Sequence, residues 1–208
     1  MTGILSLEEQ ISKGVGILRE GGVIAFPTDT IYGLGASVDK IEAVRRIFRI
    51  KQRPAGMGLP VLVADKEQLL RVVAEFPPLA ACLAERFWPG ALTLVLPKAK
   101  DLSPVITGCA DTVAVRMPAH PVTLALLRGL GVPIIGTSAN KSGQPNPTNA
   151  EEVRAQLGDE VDMIIDAGKT AGDVASTIVV VSGDRIKVLR LGVISAEDIE
   201  KVVTPKIP

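Results

Sequence analysis

The chain has little of what the common catalytic designs require. Its 208 residues include one histidine and two cysteines, and Lys plus Arg equals Asp plus Glu at 23 each. A histidine-based triad would have to run through His120, and Pro121 beside it argues for a turn instead. Cys82 and Cys109 stand far apart with no second thiol near either, which excludes a CxxC redox pair or a thiolate zinc site. Both are expected to be buried, reduced thiols. A net charge of zero leaves no global field for polyanions, so any anion site must come from a local cluster. Residues 1–9 carry no basic leader, and no apolar run approaches the roughly 20 residues of a membrane span. The expectation is a cytoplasmic protein without membrane contact.

The glycine loops that usually cradle phosphates are also missing. Gly168-Lys169-Thr170 resembles the end of a Walker A loop, but Met163 stands where its first glycine belongs and no clear helix follows. Gly14-Val15-Gly16 and Gly33-Leu34-Gly35 lack the third glycine of a dinucleotide fingerprint.

What is present is an alternation of short β-branched runs and helical patterns along the whole length, the mark of an α/β domain. Strands are predicted at 23–26, 59–63, 92–96, 112–115, 134–136, 163–165, 177–181 and 186–191. Ser182-Gly183-Asp184-Arg185 between the last two is a hairpin turn, so the sheet should be mixed, twisted and flanked by helices. Helix starts are marked by capping-box pairs: Ser6 with Glu9, Asp39 with Glu42, Asp65 with Gln68, Thr148 with Glu151 and Ser195 with Asp198. Residues 136–149, with Gly143, Pro145 and Pro147 among Thr, Ser and Asn, read as a loop. No repeat or linker divides the chain, and one domain over 1–208 is expected.

Four segments could carry chemistry. Pro27-Thr28-Asp29-Thr30-Ile31-Tyr32-Gly33-Leu34-Gly35 follows a predicted strand, where α/β sheets place ligands, although turn chemistry explains it equally well. Lys51-Gln52-Arg53-Pro54 closes a helix with two cations, and Pro54 disfavours its continuation. These cations either offset the helix dipole or converge on a polyphosphate. On the second reading they are exposed anion ligands that the fold does not need. Arg116 ends an apolar strand and requires a partner, either an internal carboxylate or the carboxylate of a substrate; the same holds for Arg190. Thr137-Ser138-Ala139-Asn140 offers hydroxyls and an amide around phosphate oxygens.

Taken in order, these segments resemble the YrdC/TsaC family, the L-threonylcarbamoyladenylate synthases. Phe87-Trp88-Pro89-Gly90-Ala91-Leu92-Thr93, Val115-Arg116-Met117-Pro118, Lys141-Ser142-Gly143, Ser176-Thr177-Ile178-Val179 and Arg190-Leu191-Gly192 extend the likeness from about Gly21 to Gly192. Gly58-Leu59-Pro60 and Val180 depart from the usual pattern, which has Pro-Leu and an aspartate there. The resemblance implies a concave cavity in which L-threonine, bicarbonate or CO2, and ATP with Mg2+ form threonylcarbamoyl-AMP and pyrophosphate. No protein-only metal site is implied. Thr30, Arg116 and Ser176 correspond to the threonine-binding set. Lys51, Arg53, Thr112, Ser138, Asn140, Thr148 and Arg190 correspond to the ATP set, with Lys51 and Arg53 as the catalytic cations. The product would pass to a threonylcarbamoyl transferase of the TsaD/Kae type acting on ANN-decoding tRNAs, with at most weak tRNA contact by this chain. Some longer relatives append a C-terminal domain, for which this chain is too short. The competing readings are an RNA-binding or ribosome-associated module without nucleotide turnover, and a carbamoyl-transfer module like that in hydrogenase-maturation proteins.

Overall fold

The computed structural model describes residues 5–54 and 56–203; the ends of the expected 1–208 unit lie outside them. Helix α1 (Leu7–Glu20) leads into β1 (Ile24–Pro27), β2 (Tyr32–Gly35) and α2 (Ile41–Lys51). Then come β3 (Val61–Leu62), α3 (Lys66–Leu70), α4 (Pro78–Phe87), β4 (Leu92–Pro97), the single turn α5 (Pro104–Thr107) and β5 (Thr112–Arg116). The remainder comprises α6 (Pro121–Leu130), β6 (Ile134–Ile135), β7 (Thr137–Ser138), α7 (Ala150–Leu157), β8 (Met163–Ile164), β9 (Thr177–Ser182), β10 (Arg185–Arg190) and α8 (Ala196–Val203).

Local chemistry explains most of these boundaries. Ser6 Oγ accepts from the Glu9 amide while the Glu9 carboxylate accepts from the Ser6 amide at 2.7 Å, a complete capping box, and Gly21 closes α1 in the left-handed region. Asp65 and Ser195 likewise cap α3 and the start of α8. Two caps differ from expectation. Asn149, not Thr148, caps α7 and pairs with Glu152, because the Thr148 amide donates to that same carboxylate from just outside the helix. Asp39 faces Arg71 at 3.3 Å instead of capping α2. That helix ends at Gln52, whose left-handed φ of 51° lets the Arg53 amide bond back to Phe48 two residues before Pro54 could act.

The mixed α/β architecture is borne out, with the strands divided between two sheets. One runs β7-β2-β1-β8 and the other β10-β9-β4-β5-β3-β6, each containing parallel and antiparallel pairs. In the larger sheet Leu92, Leu94 and Leu96 of β4, Val113 and Val115 of β5, and Val179 and Val181 of β9 are buried on one face. The period of two turns Thr93, Val95, Ala114 and Ile178 to the other face. The chain passes between sheets at Gly136, where a side chain would strike Leu62, and a Cβ on Gly35 would strike the Ile135 carbonyl. The sheets therefore meet in close backbone contact, and the outward face of the larger one is left open beside the β1–β2 hairpin.

Both cysteines are exposed, contrary to expectation. On α4 the buried positions are Ala80, Leu83 and Ala84, which leaves Cys82 on the outer side, and Cys109 sits at a surface turn with φ of 66°. Among the described residues no helix is long and apolar enough to cross a membrane.

Candidate active site

A cleft of about 340 Å³ lies where the two sheets meet. Its floor is the outward face of the larger sheet, with Thr93, Val95, Ala114 and Ile178; the β1–β2 hairpin contributes Thr28, Thr30 and Gly33, and the β6–β7 crossing contributes Gly136, Thr137 and Ser138. Arg53, Arg116 and Arg190 enter it from three different segments, and among the described residues no acidic side chain lines it.

Arg116, at the end of β5, is 7% exposed. Its Nε donates to the Gly90 carbonyl at 2.9 Å, Nη1 to Thr30 Oγ1 at 3.0 Å and Nη2 to Asp29 Oδ1 at 2.7 Å. Burial lowers its pKa and Asp29 opposes that shift, so the fork stays charged. Of the two sequence readings, the internal carboxylate is present, and it leaves N–H groups of the guanidinium over. Thr30 Oγ1 also lies 3.0 Å from Thr28 Oγ1, whose proton has an acceptor in the Ile31 carbonyl at 2.7 Å.

Across the floor, Ser176 Oγ lies 2.8 Å from Thr93 Oγ1. Arg190 is anchored by the Ser176 carbonyl, at 3.1 Å from Nε and 2.7 Å from Nη2. Burial lowers the Arg190 pKa and the charge of Arg116 lowers it further. Two guanidinium groups thus repel one another across a shared space, which favours an anion between them.

Lys51 behaves differently from the exposed ligand expected. It is 2% exposed, and its Nζ donates to Ser138 O at 2.6 Å, Asn140 O at 2.8 Å and Asn140 Oδ1 at 2.9 Å. Three acceptors satisfy the three protons of an ammonium. Burial, reinforced by Arg53, lowers its pKa to about 8. Lys51 therefore faces the 138–140 segment from behind, and Ser138, whose hydroxyl donates to Asn140 Oδ1 at 2.6 Å, is the member of this group that reaches the cleft. The sequence contained the signal: Val44, Ile47 and Phe48 are buried, and Lys51 stands three or four residues further along that stripe. Arg53 does line the cleft, half-buried, with Nη2 on the Gly58 carbonyl at 2.9 Å and burial lowering its pKa.

Thr112 lies at the far end of β5, about 13 Å from Arg116 at strand rise, on the same face but beyond the lining. Thr148 and Asn140 are also behind the lining, and Asn146 lies on it. The structure thus brings together Thr30, Arg53, Arg116, Ser138, Ser176 and Arg190, backed by Lys51 and Asn140. Sequence reasoning missed Thr93 and Asn146, and it left Asp29 between ligand-lining and turn chemistry without assigning it a partner. His120 caps α6 through Nδ1 on the Val122 amide at 3.3 Å.

Residues 16–192 match the family model for Sua5, YciO and YrdC, described as telomere recombination. The chain belongs to the Sua5/YciO/YrdC family. Relatives in this family include a threonylcarbamoyl-AMP synthase of Bacillus subtilis, 46% identical over 95% of this chain and 58% of its own length. A threonylcarbamoyl-AMP synthase of Pyrococcus abyssi is 45% identical over 98% of the chain and 61% of its own length. The solved structure of P. abyssi Sua5 complexed with L-threonine superposes with a TM-score of 0.91 at 45% identity, over 96% of this chain and 58% of that one. The chain thus spans about three-fifths of the length of these Sua5/YciO/YrdC proteins.

Proposed function

We propose that the chain is an L-threonylcarbamoyladenylate synthase, a nucleotidyltransferase that converts L-threonine, bicarbonate or CO2, and ATP into threonylcarbamoyl-AMP and pyrophosphate. The observation that carries this reading is the meeting of Arg53, Arg116 and Arg190 in one cleft that, among the described residues, no acidic side chain lines. Such a cleft suits an amino-acid carboxylate beside a polyphosphate. The relatives' activity supports the same substrates, and their greater length leaves the whole reaction to be demonstrated on this chain.

In this reading the threonine carboxylate takes the free N–H groups of Arg116, with Thr30 and Ser176 beside it. The threonine amine attacks CO2, forming the N–C bond of a carbamate and releasing a proton. A carbamate oxygen then attacks the α-phosphorus, and the bond to pyrophosphate breaks. Negative charge accumulates on phosphate oxygens, where Arg53, Arg190 and the Ser138 hydroxyl stabilise it. Lys51 and Asn140 hold Ser138 in place. Among the described residues no group of three His, Cys, Asp or Glu could hold a metal ion. Mg2+ would accordingly enter on the phosphates of ATP, where it supplies charge neutralisation. The product goes to a transferase of the TsaD/Kae type in this scheme.

The test is pyrophosphate release, with the nucleotide product identified by mass spectrometry. Release that requires both L-threonine and bicarbonate supports the proposal. Equal release with serine or without bicarbonate contradicts it, and salt-sensitive RNA binding with no turnover would favour the RNA-binding module.

A further inference from the structure

Asp29 lies in the β1–β2 turn, off the lining of the cleft, yet it is the one carboxylate bonded to a cleft arginine among the described residues. The ion pair is largely enclosed, the side chains of Arg116 and Asp29 being 8% and 17% exposed. Both hydrogen bonds that Asp29 accepts end on the same oxygen: Oδ1 takes Arg116 Nη2 at 2.7 Å and the Ala119 amide at 3.0 Å. Together with Thr30 Oγ1 on Nη1 and the Gly90 carbonyl on Nε, this bond fixes the plane of the guanidinium. A guanidinium has five N–H donors, and these three anchors leave one on each terminal nitrogen.

We infer that Asp29 is a positioning residue for carboxylate capture, with two separable effects on Arg116: its oxygen aims the fork, and its charge weakens the hold of the fork on a second carboxylate. The inference deepens the proposed function and rests on it, since the second carboxylate is that of L-threonine. An anion at Arg116 approaches the Asp29 carboxylate across a single guanidinium, in a site screened little by water or salt. Like charges on one cation compete, so occupied Arg116 holds its ligand less firmly than an unpaired one would. Such restraint suits a site that must release the acylated amino acid after each turnover.

The hydrogen-bond pattern supplies a clean separation of the two effects. In Asp29→Asn the amide oxygen can replace Oδ1 and accept from both Arg116 and the Ala119 amide. Its NH2 then takes the place of Oδ2, to which no protein donor is bonded among the described residues. Aim is kept and charge is removed. Asp29→Ala removes both.

The experiment measures L-threonine affinity by calorimetry for wild type, Asp29→Asn and Asp29→Ala, with the melting temperature of each recorded with and without saturating threonine. Asp29→Asn should bind L-threonine about fivefold to tenfold more tightly than wild type. Its free form should melt lower, because a buried guanidinium loses its counter-ion, and threonine should raise its melting temperature by more than it raises that of wild type. Asp29→Ala should bind about tenfold more weakly than Asp29→Asn. Asp29→Asn binding more weakly than wild type would overturn the inference, as would equal affinity in the two variants. If Asp29→Asn fails to fold alone, a melting transition restored by threonine supports the inference and one restored only by nucleotide overturns it. Wild type that binds no L-threonine defeats the proposed function together with this inference, an outcome separate from those in which only the variants misbehave.

Discussion

Two regions bordering the cleft hold cations in opposite ways. Behind the lining Lys51 is enclosed, and every proton of its ammonium goes to an oxygen of Ser138 or Asn140. On the lining, Arg116 is anchored on three sides and still has donors left for a guest. Neutral acceptors surround the lysine, whereas a carboxylate balances the arginine. The difference teaches that two cations in matching motifs can serve as a clamp in one place and as a receptor in the other. Counting the protons of each head group separates these roles; charge alone does not.

The largest effect should come from removing the clamp. Lys51→Met keeps the apolar stem but leaves the Ser138 and Asn140 carbonyls without a donor and the Asn140 amide oxygen with the Ser138 hydroxyl alone, at a cost of about 3 kcal/mol in stability and with turnover lost. Urea denaturation measures the first; stability within 0.5 kcal/mol of wild type would show that the lysine is an exposed ligand after all. The receptor end should respond in binding instead. Arg116→Lys, which cannot present a planar fork, should raise the KM for threonine at least about tenfold, with the KM for ATP changed less than about threefold. A change confined to ATP would assign Arg116 to the nucleotide instead of the amino acid.

A pH experiment sharpens the contrast further. Burial lowers the Lys51 pKa in the folded chain to about 8 from its ordinary 10.5. Between those values the unfolded chain binds more protons than the folded one, so the contribution of Lys51 to stability rises with pH across that window. A neutral amine has only two donors for its three acceptors, so turnover should fall over the same interval. Stability and activity moving in opposite directions above pH 8 would mark the clamp. In Lys51→Arg any residual activity should lack this alkaline limb, and an unchanged limb would assign it to another group. The smallest effect belongs to Thr112→Ala: at the far end of β5, it should alter the ATP requirement by about threefold or less and leave threonine binding untouched.

How legible these two regions were in the sequence follows from their backbone. The β9–β10 hairpin was readable because alternation and Ser182-Gly183-Asp184-Arg185 act together, and β4 and β5 because their buried leucines and valines alternate strictly. Strands β2 and β7 were not. Tyr32–Gly35 contains two glycines in four residues, and Thr137–Ser138 is only two residues of polar character. Their pairing depends on close backbone approach between distant segments, which no local pattern encodes. The sequence therefore shows β1 and β8 of the smaller sheet as strands but β2 and β7 only as ligand-bearing loops. For the same reason Arg116 is evident in the sequence, whereas its bond to Asp29, 87 positions away, requires the fold.

The most direct test is a crystal structure with L-threonine and a nonhydrolysable ATP analogue bound together. The threonine carboxylate is expected on Arg116, with phosphates at Arg53, Arg190 and Ser138 and Lys51 Nζ still bonded to Ser138 and Asn140. Lys51 turned onto a phosphate oxygen, or a carboxylate seated away from Arg116, would contradict this arrangement.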